Sequence, residues 1–199
     1  RPNPTPLAEG PDWQTRPVRS LPNLVLRAAE RDDADAIAAV HVAAWRSGYG
    51  HVFPAEWLSS DEFAHDRARV WREWRVGPGD RVAVATLAER ADTTPIITAF
   101  AWFGPERDRG RANTGRGEIH AFYADPRVWG TGVATALMEH TELRLRTEGF
   151  DAAVLWVLAD NPRARGFYER HGWQPSGIEG EFEARGVRAP ELEYRKELL

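Results

Sequence analysis

Near the start of the chain, the spacing of the apolar residues predicts one strand and then two helices. The run 24–26 is uniformly apolar and predicts a short strand. A helix is predicted over 34–47, and Ser59 with Glu62 fits a capping box for a second helix. Each helix has apolar residues every three or four positions, which predicts one buried face. Those residues are Ile37, Val40, His41, Ala44, Trp45, Phe63, Val70, Trp71 and Trp74.

Three strand-like runs follow in the middle of the chain. Residues 82–87 and 96–103 are apolar and rich in β-branched or aromatic side chains, and 117–124 has a similar character. The polar segment 89–94 predicts a hairpin turn, and 104–117 predicts a long polar loop. The middle of the chain is therefore predicted to be rich in strands.

Helices and strands alternate in the last third of the chain. A glycine turn and then a helix are predicted over 130–148, and the almost entirely apolar segment 152–158 predicts a strand buried on both faces. A short helix over 162–170 is predicted to end at Gly172. The remaining residues predict two strands around a loop at 176–190.

The order of these elements, β-α-α-β-β-β-α-β-α-β-β, predicts an α/β fold with a mixed sheet, in which a helix joins two parallel strands. The 199 residues suffice for one domain of ~150 residues and a tail. Residues 1–22 contain six prolines and few apolar side chains, which predicts a disordered tail. Residues 23–199 are predicted to form a single domain.

Composition excludes several classes of function. The chain has no cysteine, which rules out disulfides, thiolate zinc sites and a cysteine nucleophile. With 26 basic and 30 acidic residues the net charge is −4, so a nucleic-acid partner is disfavoured. No apolar run is long enough for a signal peptide or a membrane span, and we expect a cytoplasmic protein.

The segment from Tyr123 to Ala134 is the most informative part of the chain. A strand ends at Pro126, a turn with Gly130 and Gly132 follows, and a helix begins there. The first N–H groups of a helix lack internal partners and carry partial positive charge, so such a turn can bind a phosphate. It lacks the third glycine of a dinucleotide fingerprint and the lysine of a P-loop. An anion site and a simple tight turn both remain open on spacing alone.

Two motifs together resemble a known family. Arg127-x-x-Gly130-x-Gly132-x-Ala134 is similar to motif A of the GNAT superfamily of N-acetyltransferases, which use acetyl-CoA. The segment from Asn161 to Trp173 is similar to a second motif of that family, with Trp173 in place of the usual phenylalanine. The resemblance covers roughly 23–199. It implies a mixed twisted sheet of about six to seven strands, flanked by helices and splayed in the middle.

The resemblance also implies a binding site for acetyl-CoA without a metal. Backbone amides of the motif A turn would bind the pyrophosphate, Arg127 would add positive charge, and the preceding strand would pair with the pantetheine arm. Asn161 would lie against that arm. The residues assigned to the cofactor are Phe122, Tyr123, Ala124, Arg127, Val128, Trp129, Gly130, Thr131, Gly132, Val133, Ala134, Asn161 and Ala164.

Acetyl transfer to an amine needs a base for the acceptor and a proton donor for the departing thiolate. The resemblance places Tyr168 near the sulfur of CoA, where its hydroxyl could be that donor. Glu118 and His120 are two apart on a predicted strand and share a face, so either could be the base, directly or through water. The alternative for Glu118 is a strand-end residue in solvent, and the alternative for His120 is a histidine packed within the sheet.

The acceptor pocket is predicted from aromatic residues. Trp45, Tyr49 and Trp102, with nearby carboxylates, could bind a cation, and core packing is the alternative role of the two tryptophans. The leading hypothesis is N-acetyl transfer to the primary amine of a small molecule, directly within a ternary complex. A non-catalytic acyl-CoA-binding or regulatory module and a protein N-terminal or lysine acetyltransferase are the alternatives. Members of the family are often dimeric, which leaves a homodimer open.

Overall fold

The computed structural model describes residues 21, 23–73, 77, 79–88, 93–107 and 115–198. The strands of this part of the chain are β1 (Leu24–Ala28), β2 (Arg81–Leu87), β3 (Ile96–Pro105), β4 (Gly117–Ala124), β5 (Ala152–Leu158), β6 (Gln174–Ala184) and β7 (Val187–Glu197). The helices are α1 (Ala34–Gly48), α2 (Ala55–Ser59), α3 (Asp61–Glu73), α4 (Val133–Thr147) and α5 (Pro162–Arg170).

The seven strands form one mixed sheet in the order β1-β2-β3-β4-β5-β7-β6. Every neighbouring pair is antiparallel except β4 and β5, which run parallel. Their pairing covers three Cα pairs, from Gly117 with Ala153 to Ile119 with Leu155. Both strands continue past that point without pairing to each other, so the sheet splays between them. The predicted fold class, including the splay, is confirmed.

Helices cover both faces of the sheet. On one face α4 and α5 pack through an apolar cluster that includes Leu137, Met138, Leu145 and Trp173, all fully buried. On the other face α1 packs on β3 and β4 and against α3, burying Ile37 and neighbouring aromatic residues. The buried face predicted for α1 from its helical spacing of apolar residues is observed. The splay between β4 and β5 therefore opens between two packed layers.

Two predicted details near α3 were wrong. Helix α2 was not predicted, because its five residues are too short to show a helical period. The cap of α3 is Ser60, whose hydroxyl accepts a hydrogen bond from the Phe63 N–H at 3.2 Å, and not Ser59. The Ser59 hydroxyl instead donates to the Glu56 carbonyl inside the preceding turn. Adjacent serines made the two registers indistinguishable from sequence.

The predicted loop at 176–190 is instead a long hairpin. Strands β6 and β7 pair up to Ala184 and Val187, and Arg185 and Gly186 form the turn with φ of 52° and 73°. Two positive φ values give a turn whose twist matches that of the strands. Arginine is an unusual residue at the first position of such a turn, and β6 is a mostly exposed edge strand with little apolar alternation. For both reasons the hairpin was not predicted from the sequence.

Other predictions fall outside the described residues. The tail lies there except for Leu21, which packs against the cluster under α4 and comes within 3.8 Å of where a Cβ on Gly132 would lie. Residues 89–92 of the predicted turn 89–94 and residues 108–114 of the predicted loop 104–117 also lie outside. No helix in the described part of the chain is long and apolar enough to cross a membrane.

Candidate active site

The splay between β4 and β5 forms a cleft of about 510 Å³. It brings together most of the residues predicted for the site, from both faces of the sheet. Those lining it are Trp45, Tyr49, Glu118, His120, Phe122, Tyr123, Ala124, Trp129, Gly130, Ala134, Asn161, Ala164 and Tyr168. The cleft is therefore the place where the two motifs and the N-terminal helices meet.

The glycine turn before α4 has the geometry of an anion site. Gly130 and Gly132 adopt φ of 76° and 100°, and Gly132 is the N-cap of α4. The N–H groups of the first helical turn have no partner within the helix, because the first helical bond runs from the Ala136 N–H to the Gly132 carbonyl at 3.0 Å. No atom of the residues that the structure describes, beyond the immediate chain neighbours, lies within 4 Å of where a Cβ on Gly130 would stand, so these residues leave the approach to the turn open.

We expect replacement of Gly132 by alanine to weaken binding of CoA about tenfold. A left-handed conformation costs an L-residue roughly 1–2 kcal/mol, and relieving that strain moves the amides that open α4. Isothermal titration with CoA measures the effect. Gly149→Ala is the matched control, since Gly149 has φ of 93° at the other end of α4 and a Cβ there meets open space. Equal loss of affinity in both variants would contradict an anion site at Gly132.

The other predicted residues of the turn do not line the cleft with their side chains. The guanidinium of Arg127 pairs with Asp125 at 2.7 Å and is 74% exposed. Val128 and Val133 are buried in the core, and the Thr131 hydroxyl donates to the Val128 carbonyl at 2.7 Å. Binding by these residues would have to use backbone groups.

A cation that the sequence analysis missed stands at the same end of the cleft. The Arg163 guanidinium lies 4.2 Å from the ring centroid of Trp129, and both residues line the cleft. Arg163 belongs to the second motif at the start of α5, whereas Trp129 belongs to the first. The two motifs are distant in the sequence, and no pattern in it indicates which of their residues touch. The contact between Arg163 and Trp129 could therefore not be predicted from the sequence.

Three tyrosines line the cleft where β4 and β5 separate, of which Tyr168 is buried and Tyr49 and Tyr123 are half-buried. Burial raises the pKa of Tyr49, Tyr123 and Tyr168. Hydrogen bonding with Tyr123 raises the pKa of Tyr49 further, and hydrogen bonding with Asn161 opposes this. Asn161 also caps α5, because its Oδ1 accepts from the Ala164 N–H at 3.1 Å. All three hydroxyls are therefore protonated at neutral pH and able to donate hydrogen bonds into the cleft.

Glu118 and His120 lie at the other end of the cleft and touch each other. Glu118 is 2% exposed, and its Oε2 accepts from the Arg107 N–H at 2.9 Å. Its Oε1 lies 3.4 Å from Nδ1 of His120, whose side chain is fully buried. The shared face predicted from their spacing is thus observed, although their catalytic roles stay predictions.

Trp102, predicted to contact the acceptor, lies one layer behind His120 and does not line the cleft. Its ring centroid is 5.6 Å from that of His120, and its Nε1 donates to Asp80 at 3.0 Å. Trp45 and Tyr49 do line the cleft, at the C-terminal end of α1, with ring centroids 5.0 Å apart. The aromatic wall of the cleft is completed by Phe53 and Phe182.

His41 belongs to the packing behind that wall. Burial, reinforced by the charge of Arg67, lowers the pKa of His41 to about 3, so the imidazole is neutral at physiological pH. Its Nδ1 accepts a hydrogen bond from Trp71 Nε1 at 3.1 Å, and its ring stacks on Tyr123 at 4.6 Å. His41 thus holds Tyr123 in place and has no access to the cleft.

Glu191 is a cleft residue that the sequence analysis did not single out. It lies on β7, is 5% exposed, and faces the cleft beside Trp156. Gly180 on β6 makes this possible, because a Cβ there would stand 2.7 Å from the Trp156 ring and 3.3 Å from Glu191 Oε1. The alternation of charged residues along β7 resembles that of a solvated strand, which concealed an inward carboxylate.

Among the described residues, no group of three potential metal ligands occurs.

Comparison with known proteins shows which family this chain resembles. Residues 42–173 match the model of the acetyltransferase (GNAT) family. The chain is 29% identical over 170 residues to the uncharacterized N-acetyltransferase YuaI of Bacillus subtilis, covering 85% of this chain and 90% of that protein. It is 31% identical over 142 residues to mycothiol acetyltransferase of Propionibacterium freudenreichii, covering 71% of this chain and 40% of that one.

The fold also matches solved acetyltransferase structures. The protein yncA from Salmonella typhimurium, whose structure was determined with its cofactor acetyl-CoA, superposes with a TM-score of 0.62 at 18% identity, over 89% of this chain and 95% of the other. At that identity the superposition establishes the fold alone. The family model spans both motifs and the intervening cleft. The chain belongs to the GNAT family of acetyltransferases.

Proposed function

We propose that this acetyltransferase moves the acetyl group of acetyl-CoA directly to the primary amine of a small molecule. The observation that carries the proposal is a single cleft with an open helix N-terminus at one end and buried carboxylates at the other. The first end suits the phosphates of CoA, and the second suits a cationic amine. The splayed strands join the two ends.

The free edge of β4 supports binding of the pantetheine arm. Beyond Ile119, β4 pairs with β3 on one side and with no described strand on the other. The edge from Phe122 to Ala124 borders the cleft, so an extended chain with amide groups can pair there as an added strand would. Asn161 and Ala164 stand on the opposite wall. This arrangement would direct the thioester toward Tyr168.

The transfer would proceed without a covalent enzyme intermediate. Glu118 would accept the proton of the bound ammonium, and the amine nitrogen would then attack the thioester carbon. A C–N bond forms, the C–S bond breaks, and the second proton of the amine nitrogen passes to the departing sulfur, so that CoA leaves as the thiol. The Tyr168 hydroxyl would donate a hydrogen bond to that sulfur. Because burial raises the pKa of Tyr168, a hydrogen bond is favoured over complete loss of its proton.

We expect Tyr168→Phe to lower kcat about tenfold or more, with little change in the affinity for acetyl-CoA. The variant removes one hydrogen bond donor and keeps the ring in the core. The departing sulfur of CoA therefore loses a stabilising hydrogen bond, and the chemical step becomes slower. Steady-state thiol release measures it. Tyr194→Phe is the matched control, because Tyr194 is fully buried and donates to Glu169 at 2.8 Å away from the cleft. A kcat loss shared equally by both variants would contradict a role for the Tyr168 hydroxyl.

The acceptor end of the cleft supports a small substrate. Aromatic residues of α1, the α1–α2 connection and β6 enclose it, and Arg185 at the tip of the β6–β7 hairpin pairs with Asp66 on α3 at 2.9 Å. This contact ties the hairpin to the helical layer beside the acceptor end. A polypeptide acceptor would need an open groove instead. The similarity to a mycothiol acetyltransferase also favours a small acceptor, although the chain spans less than half of that relative.

Thiol release from acetyl-CoA against matched panels of small amines and of peptides tests the proposal. We expect release with small amines, and mass spectrometry should find the N-acetyl product. Release with peptide N-termini or lysines alone would favour a protein acetyltransferase. Tight binding of acetyl-CoA without release on either panel would favour a non-catalytic module.

A further inference from the structure

We propose that Asp80 and His120 form the path by which the proton taken up by Glu118 leaves the active site. This inference rests on the proposed function, since it concerns the proton that the acceptor amine must lose. Asp80 precedes β2 and was not among the predicted site residues. It would act as a positioning residue through His120 and would not touch the substrate.

The imidazole of His120 lies between two carboxylates. Its Nδ1 is 3.4 Å from Glu118 Oε1, and its Nε2 is 3.4 Å from Asp80 Oδ1. The side chain is fully buried, and within the described part of the chain neither ring nitrogen has a hydrogen bond of good geometry. A buried imidazole normally pairs both nitrogens. Its two nitrogens thus face a proton source on one side and a proton acceptor on the other.

A bulge in the sheet lies at His120. Trp102 pairs with Ala121 and Phe103 pairs with Ile119, which leaves His120 without a Cα partner on β3. The His120 side chain keeps the face that strand alternation gives it beside Glu118, and it packs against the ring of Trp102. Bulges are over-represented next to active sites.

Asp80 is fixed by contacts that leave one oxygen for His120. Its Oδ2 accepts from Trp102 Nε1 at 3.0 Å and from the Gly77 N–H at 3.2 Å. Gly104 on β3 gives it room, because a Cβ there would stand 2.5 Å from Asp80 Oδ1. The carboxylate is therefore held with Oδ1 toward the imidazole.

Exposure increases along the three side chains in the direction of the proposed path. The Glu118 and His120 side chains are 2% and 0% exposed, whereas that of Asp80 is 10% exposed. The charged groups that face the path are Arg107, whose Nη2 is 4.0 Å from Asp80 Oδ2, and Arg116, whose charge acts on Glu118. The imidazole thus has a carboxylate on each side, and each carboxylate has a guanidinium near it.

Each step conserves protons and charge. The acceptor ammonium gives one proton to the Glu118 carboxylate and becomes the attacking amine. The resulting carboxylic acid passes the proton to His120 Nδ1, which forms an imidazolium with Glu118 ionised again. His120 then releases the proton on Nε2 to Asp80, and water removes it at the exposed end. No oxidant or further reactant takes part.

The pH dependence of kcat in Asp80→Asn tests the proposal. Loss of the Asp80 charge removes a group that stabilises the imidazolium, so we expect the acidic limb to move to lower pH by about one unit or more. The weaker proton acceptor should also lower the plateau about tenfold. Affinity for CoA should not change. Asp35→Asn is the matched control, because Asp35 is an exposed carboxylate paired with Arg72 far from the cleft.

The outcomes separate the proposed path from the proposed function. A lower plateau in Asp80→Asn without a shift of the limb would assign Asp80 a structural role and overturn the path, with acetyl transfer intact. Absence of amine-dependent release in the unchanged protein would overturn both. If Asp80→Asn does not fold, His120→Gln replaces it, and an unchanged kcat in that variant overturns the path. The variant that carries both Asp80→Asn and His120→Gln gives a further test. If its loss of kcat equals the sum of the two single losses on a free-energy scale, the path is contradicted, since two members of one path should not act independently.

Discussion

Replacement of Glu118 by glutamine is expected to lower kcat about 100-fold at neutral pH, with a small effect on the affinity for acetyl-CoA. A positioned general base contributes on the order of 10²–10⁴ in rate, and glutamine keeps the shape of the side chain without its proton affinity. Glu118 is the buried carboxylate that lines the cleft next to His120. Stopped-flow or steady-state thiol release over a range of pH measures the loss.

The control for this variant is another buried glutamate on the same sheet. Glu193 is fully buried on β7 and lies 3.7 Å from Arg116, but it does not line the cleft. Glu193→Gln should therefore reduce stability and leave kcat nearly unchanged. Retention of most of the activity in Glu118→Gln would assign the base to a water or to His120 and leave the family membership untouched.

Replacement of Trp173 by alanine is expected to cost about 3–5 kcal/mol of unfolding free energy, because truncation of a buried tryptophan leaves a cavity. Trp173 is fully buried, and its Nε1 donates to Glu142 at 2.9 Å. It also contacts the Tyr168 ring, so kcat should fall in the same variant. Chemical denaturation followed by fluorescence measures the stability.

Phenylalanine at position 173 provides the matched comparison. It restores the residue more usual in the motif and fills most of the cavity, while it removes the hydrogen bond to Glu142. We expect Trp173→Phe to cost about 1–2 kcal/mol and to keep activity. Similar losses for alanine and phenylalanine would show that the hydrogen bond, and not the packing, accounts for the role of Trp173.

Local patterns were enough to predict most of the helices and strands and some features that border the cleft, whereas the splay of the sheet and the place of Tyr168 were implied by the family resemblance. The glycine turn at Gly130 and Gly132 follows from the physics of a helix start, and the shared face of Glu118 and His120 follows from strand alternation. The nearly apolar segment 152–158 indicated a central strand, and β5 has these bounds. Each of these features lies within a few consecutive residues, where periodicity and turn chemistry determine the outcome.

The missed residues depend on contacts between distant segments. Asp80, Arg163 and Glu191 reach the site from three separate elements, and each looks like a solvated charge in its own segment. Asp80 depends on the missing side chain of Gly104, and Glu191 depends on that of Gly180. Space left by a glycine on a neighbouring strand has no signature in the sequence around the charged residue.

Initial rates with both substrates varied together test the central claim most directly. Thiol release is measured with acetyl-CoA and the best small amine from the panel, each over a range of concentrations. Direct transfer in the cleft predicts intersecting double-reciprocal lines and no release above the buffer rate without amine. Parallel lines, which indicate an acetylated enzyme, or release independent of amine would contradict the account.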